Sequence, residues 1–332
     1  MKDEVGAPRT TDTEKRASSN RTLIISVAAL LIAGGSILVW QLFHFPKAAQ
    51  PPVSSLPPDA QTTPPSSIIA SPKNNISTTE SPTGRNDTRP GHTTEELVDK
   101  ADDLLRKNDN KTALSLYEEA LAHSDIEKMD SVRSRALSGK TSALLNLHLN
   151  DSARLSAQHW LDFQSTQKDK RTLAYCYFQL GTAYRSTIRS ESDAVMAIHC
   201  FEKAIALDKE INSKGTEVSA FYEGIGQVLS SQKQPDKALA AYKTQLAYCL
   251  AQTGPGWDLQ RGLAHYYCAL TNNEMHNFAA ASKEYELAIT PIREHMSKET
   301  TAAIYREMAN NYKKQGDKRK AQTCMVQSQK YK

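Results

Sequence analysis

The side chains that could do chemistry in this chain are numerous, but their spacing brings few of them together. None of the nine histidines lies three or four residues from another, so no pair shares a helical face in the way a metal site requires. The five cysteines (Cys176, Cys200, Cys249, Cys268 and Cys324) include no C-x-x-C pair, and an odd number cannot complete a disulfide framework. They read as small, buried, apolar residues; a Cys176–Cys200 bridge is the alternative in an oxidising compartment. Gly254-Pro255-Gly256 lacks the lysine and hydroxyl of a phosphate loop, Gly224-x-Gly226 lacks the rest of a dinucleotide fingerprint, and no Gly-x-Ser-x-Gly occurs. Glu202 and Glu286 read as solvated helix faces. With no convergent acid, base or nucleophile, the expectation is no catalysis, no metal, no cofactor and no small-molecule substrate. The chemistry left to these residues is recognition.

Charge narrows the partner. The net charge is +4, with 41 Lys/Arg and 37 Asp/Glu. Nine of those cations and seven of those acids precede Gly91, which leaves 32 and 30 beyond it by subtraction. A region this close to neutral lacks the basic excess of a nucleic-acid binder.

The elements that must position any recognition surface show themselves as a repeat. In the stretch from Ala197 to Leu207, Ala197, Phe201 and Ala204 fall on one face of a helix at 3.6 residues per turn. Ala113, Tyr117 and Ala120 keep the same spacing, as do Ala281, Tyr285 and Ala288. Ala238 and Tyr242 match, with Gln245 in the third place, and weaker copies begin at Ala153 (with Ala157 and Trp160) and Ala321 (with Met325 and Ser328). By subtraction the leading alanines stand 40, 44, 41, 43 and 40 residues apart, a solenoid period of six copies. About a dozen residues before each, another helix carries a small residue among larger ones: Gly181 in YFQLGTAY, Gly226 in YEGIGQVL, Ala309 in YREMANNY. Short polar turns separate the two helices, at Asn108-Asp109-Asn110, Asn150-Asp151, Gln234-Pro235-Asp236 and Gly316-Asp317. These residues start helices, because Asp or Asn caps free amides and proline suits the first turn.

The first 92 residues are of another kind. Residues 1–21 read as a polar, disordered cytoplasmic tail. From Thr22 to Pro46 there is no Asp, Glu, Lys or Arg, and the apolar run would extend about 35 Å as a helix at about 1.5 Å per residue. Residues 22–45 are therefore expected to form a single transmembrane helix in a lipid bilayer. A cleaved signal peptide fits less well, because the run is long and Lys47-Ala48-Ala49 is a poor cleavage site. Five cations precede the span and only Lys47 and Lys73 follow it closely, so the positive-inside rule places the amino terminus in the cytoplasm and the remainder outside. Residues 46–92 hold ten of the 14 prolines and much Ser and Thr. They read as a disordered spacer reaching on the order of 140 Å at about 3.1 Å per residue. The remaining segment, residues 93–332, carries the repeats.

Quoted as an aromatic, Leu-Gly and Tyr, then Ala, Phe/Tyr and Ala in a partner helix, the repeats resemble the tetratricopeptide family. Their period exceeds the usual 34 and is similar to the longer-helix variants of kinesin light chains and Pins-type polarity adaptors. The fold class implied is all-α, a solenoid of about six helical hairpins. The resemblance also implies that the first helix of each hairpin lines a concave groove for a protein or peptide. Transferring inner-face positions gives Tyr175, Phe178, Thr182 and Arg185 in the third repeat, and Glu223, Gln227 and Ser230 in the fourth. The fifth gives Tyr266 and Asn273; the sixth gives Arg306, Asn310 and Lys313. Amides would bond an extended backbone, and cations would hold an acidic group. The carboxylate clamp of chaperone-binding relatives does not transfer, since Val98 and Asp102 stand where a Lys and an Asn are needed. The expected function is a membrane-anchored, non-catalytic scaffold or assembly factor with its repeats on the extracytoplasmic side. A cytosol-facing receptor on an organelle and a sensory input module are the alternatives.

Overall fold

A computed structural model describes residues 93–331 apart from 124–127, 214 and 255. The expected tail, membrane span and linker lie outside the described residues. Among the described residues, no helix is long and apolar enough to cross a membrane.

The described chain is helical throughout, in twelve segments. They are α1 (Thr94–Arg106), α2 (Asn110–Ala122), α3 (Asp130–Asn146), α4 (Asn150–Ser165), α5 (Lys170–Ser186) and α6 (Glu191–Ile211). The second half comprises α7 (Glu217–Ser231), α8 (Pro235–Leu250), α9 (Trp257–Glu274), α10 (Phe278–His295), α11 (Lys298–Lys314) and α12 (Lys318–Lys330). Odd and even helices pair as six antiparallel hairpins, and every leading alanine lies in an even, second helix as expected.

Local sequence explains the boundaries. Thr93 opens α1 with a capping box: its hydroxyl accepts from the Glu96 amide at 3.2 Å, and its own amide donates to Glu96 Oε2 at 2.9 Å. Asp109, Asp169, Ser297 and Asp317 cap α2, α5, α11 and α12 through their side chains, and Pro235 is the first residue of α8. Five of the six hairpins turn alike. Asn108, His148, Lys233, His276 and Gly316 adopt the left-handed conformation, with φ between 56° and 83°. The amide after each one then bonds a carbonyl five residues back, as Asp109 does to Leu104 at 2.9 Å, closing the first helix with a Schellman motif. The third hairpin departs from this. Its turn runs from Thr187 to Ser190, and Ser190 starts α6 with a capping box to Asp193. The longer turn and a longer start to α6 account for the 44-residue interval.

The core is a row of knobs. Tyr117, Trp160, Phe201, Tyr242 and Tyr285 each point from a second helix and are at most 3 % exposed. Around Phe201 the space comes from glycines on two first helices. A Cβ at Gly181 would stand 3.0 Å from the ring, and one at Gly224, in the next hairpin, 2.5 Å from it. One aromatic thus joins its own first helix to the following one, and burying it contributes roughly 1.5–3 kcal/mol. In four of the first helices the position two residues before the small residue meets the preceding knob. Gly139 meets Tyr117, Gly224 meets Phe201, and Tyr267 stacks on Tyr242 at 5.1 Å between centroids. Met325, the sixth knob, is a methionine and stays 39 % exposed.

Successive first helices also meet directly, α1 with α3, α3 with α5, α5 with α7 and α7 with α9. No comparably broad contact joins successive second helices among the described residues. The row of hairpins therefore bends toward its first helices, which form the inner face.

Candidate functional site

The inner face is built from one side of α1, α3, α5, α7, α9 and α11, and its polar groups differ along its length. At the amino-terminal end they are satisfied. Arg135 of α3 donates to Asp99 Oδ1 and Asp102 Oδ2 of α1, both at 2.6 Å, and the second oxygen pair is completed by the Tyr117 hydroxyl on Asp102 Oδ1. Asp102, the residue that replaces a clamp asparagine, is thus spent on holding two hairpins together.

In the middle the groups converge without cancelling. Arg185 reaches from the last turn of α5 toward Glu223 of α7 and the tyrosines Tyr242 and Tyr267. Glu223 Oε1 accepts from the Tyr267 hydroxyl at 2.8 Å and from Gln227 Nε2 at 2.9 Å, and the same Nε2 lies 3.0 Å from the Tyr267 oxygen. Three hairpins therefore meet at one carboxylate. Burial lowers the Arg185 guanidinium from its ordinary range, against the pull of Glu223. Burial likewise raises Glu223, against hydrogen bonding from Tyr267, the charge of Arg185 and the Gln227 amide. All three inner-face residues remain half-exposed, so water reaches the floor they form. Gln227 Oε1 is buried with no hydrogen-bond partner.

A second cluster lies between α9, α10 and α11. Glu307, 7 % exposed, occupies the knob-contact position of α11 beside Tyr285. Burial pushes its carboxyl up to about 7, while the Tyr266 and Tyr285 hydroxyls and Arg306 act in the opposite direction. Arg306 Nε is buried without a partner. Asn273 Oδ1 accepts from Lys314 Nζ at 3.0 Å, and Asn310 and Lys313 are exposed on the same helix as Arg306.

The expected groove residues therefore divide. Arg185, Glu223 and Gln227 come together, and Asn273, Arg306, Asn310 and Lys313 line the carboxy-terminal part; Ser230 is half-buried. Tyr175, Thr182 and Tyr266 need correction, because they are 4 %, 5 % and 1 % exposed and offer no surface to a partner. Tyr175 packs edge-on to Trp160 at 5.7 Å and stacks on Phe178 at 5.9 Å, and Thr182 donates to the Phe178 carbonyl of its own helix at 2.9 Å. Phe178 is half-buried and leans on Phe201 and Phe221. Because first helices of adjacent hairpins touch, large rings near that seam are drawn into it. Sequence reasoning missed Tyr267 and Glu307. Both stand two residues before a small residue, at a position glycine holds in two other repeats, so the break in that register was their signal.

All five cysteines are buried and free, with the Cys200 thiol pushed up to about 12 by burial. Among the described residues, no group of three or more His, Cys, Asp or Glu is placed to hold a metal. An open depression at the start of α5, lined by Lys168, Lys170 and Asn212, lies at the hairpin edge; there Lys170 pairs with Glu210 at 2.9 Å.

No protein-family model matches the sequence, and no curated protein matches it. Solved structures do share the fold. BtubC (BKLC) from P. vanneervenii aligns with a TM-score of 0.54 at 12 % identity, over 73 % of this chain and 91 % of that one. The apo form of the quorum sensor NprR from B. thuringiensis gives 0.56 at 13 %, over 71 % of this chain and 63 % of that one. The APC/C hetero-tetramer Cut9–Hcn1 gives 0.53 at 11 %, over 72 % of this chain and 40 % of that one. This chain thus spans under two thirds of the latter two. At such identities the superpositions show a common fold and nothing more, and the fold is the tetratricopeptide-like α-solenoid expected from the repeats.

Proposed function

We propose that the protein is a membrane-anchored, non-catalytic scaffold that binds a protein or peptide on the inner face of its repeats. The observation that carries this reading is the floor at Arg185, Glu223 and Gln227. There the first helices of hairpins three and four hold half-exposed polar side chains, among them Arg185, which makes no hydrogen bond or ion pair with a described residue, while Glu223 and Gln227 are tied to Tyr267 of hairpin five. A surface needed only for packing would be satisfied, as Arg135 is at the amino-terminal end. Proteins of this fold take part in sensing and assembly, as the quorum sensor and the hetero-tetramer illustrate. Anchoring rests on the uncharged run from Thr22 to Pro46, and an extracytoplasmic domain on the cations before it.

The second reading turns the domain toward the cytosol, and the five unpaired thiols support it, since reducing compartments keep cysteines free. Protease added to sealed vesicles decides between the two. A protected repeat domain upholds the extracytoplasmic reading, and digestion from the cytoplasmic side refutes it. Binding is tested by partner recovery: Arg306→Glu with Lys313→Glu should abolish it, whereas Glu202→Lys on a second helix should not. Equal recovery from both variants would refute binding on the inner face.

A further inference from the structure

The seam between hairpins five and six is built differently from the four before it. Direct contact between first helices, broadest at α1 and α3, fades along the row and is not broad between α9 and α11. The contact of α10 with α11 is also the sparsest between successive hairpins. Hydrogen bonds cross this seam toward the end of α11. Asn311 Nδ2 donates to the Phe278 carbonyl at 3.0 Å and to Ser282 Oγ at 2.7 Å, and Gln315 Nε2 donates to the same carbonyl at 2.9 Å. Glu307 stands one turn before Asn311 on the same face, which sets it against Tyr285, three residues after Ser282 on α10. There the polar groups go unpaired. Of ten buried side-chain atoms without a hydrogen-bond partner among the described residues, four lie on these two helices: Tyr285 Oη, Arg306 Nε, Glu307 Oε2 and Asn311 Oδ1. Such atoms weaken the docked state, because each regains water on separation. The titratable groups facing Glu307 are Tyr266 from α9, Tyr285 from α10 and Arg306 on its own helix. On α10, Glu286 is held by Tyr312 and by Lys320 at 3.3 Å, and Glu284 by His265 at 2.7 Å. Burial raises the Glu307 carboxyl to about 7, so the closed seam favours the proton. Docking is fully supported below about pH 4.5, and that support is lost as pH rises through about 7.

We propose that this seam is a proton-operated joint. Hairpin six stays docked on hairpin five while Glu307 is neutral, and it loosens about the short connection between α10 and α11 when Glu307 ionises. Arg306, Asn310 and Lys313 ride on α11, so their placement on the inner face changes with the joint. The joint is a property of the chain and does not depend on the protein-binding reading.

Hydrogen exchange of the full chain, read by mass spectrometry at pH 5 and 8 and corrected for intrinsic rates, tests the joint. Protection of α11 and α12 should fall about seventyfold between the two, as a carboxyl passing from about 7 to 4.5 on opening requires. The helices α5 and α7 should keep theirs, because the opening is local. Glu307→Gln cannot ionise, and it should hold the protection of α11 and α12 within about threefold over the same range. An equal fall in the variant would assign the effect to another group and overturn the proposal. A fall shared by all helices would be global unfolding and would overturn it as well, as would no fall at all. Should the variant lose its circular dichroism, the comparison of hairpin six with hairpins three and four on the parent chain decides alone. No partner is added, so failure here leaves the binding reading standing, and failure of partner capture leaves the joint standing.

Discussion

Glu307→Gln should convert a pH-dependent repeat domain into one that is less so, and the structure sets the size of the change. Glu307 is 7 % exposed, packed at the Tyr285 knob among Tyr266, Tyr285 and Arg306. Its carboxyl rises from the ordinary 4.5 to about 7 because burial penalises the charged form. The folded state therefore holds the proton more tightly than the unfolded one. The corresponding stability is fully present below about pH 4.5 and is lost as pH rises through about 7. At roughly 1.4 kcal/mol per pH unit, the loss between pH 4 and 8 is about 3 kcal/mol. Glutamine stays neutral and keeps an oxygen for the tyrosine hydroxyls, so it should escape the loss. Urea unfolding of the parent and the variant, followed by circular dichroism across that range, measures it. The stability difference between them should grow by about 3 kcal/mol toward pH 8, in favour of the variant. Parallel pH curves would refute the reasoning.

Five further substitutions test the packing and the turns. Phe201→Ala empties the slot between Gly181 and Gly224 and should cost about 3–5 kcal/mol in urea unfolding. Gly139→Ala would drive a Cβ into the buried Tyr117 ring; overpacking of about 1–3 kcal/mol should outweigh the roughly 1 kcal/mol gained in helix propensity, and thermal melting would show it. His148, Lys233 and His276 hold φ of 57°, 56° and 61°, so replacing each with glycine should relieve about 1 kcal/mol and raise the melting temperature.

Most of the fold was legible because packing repeats and chemistry does not. The alanine and aromatic spacings are dictated by how close two helices can approach, so Ala197, Phe201 and Ala204 identified their hairpin and located the other five. Turn residues such as Asp109, Pro235 and Asp317 were equally readable, since each satisfies an amide or a φ at one helix start. The left-handed His148 and His276 were not, because histidine enters that region far less readily than glycine and its enrichment there is too weak to fix a single position. The site was readable only in part. Helical periodicity places Tyr175, Tyr266 and Arg185 on one side of their helices, but the direct contact between first helices draws the rings inward and leaves the guanidinium at the surface. Tyr267 and Glu307 were hidden because each stands where two other repeats carry glycine. Their roles depend on which knob the preceding hairpin presents, and helical periodicity does not carry that.

The central claim, binding on the inner face, is tested most directly by a photo-crosslinking amino acid placed at Asn310 on the inner face or at Lys283 on the exposed side of a second helix. In cells, Asn310 should yield one discrete crosslinked protein, identified by mass spectrometry, and Lys283 should yield none. Capture from Lys283 with none from Asn310 would contradict the account.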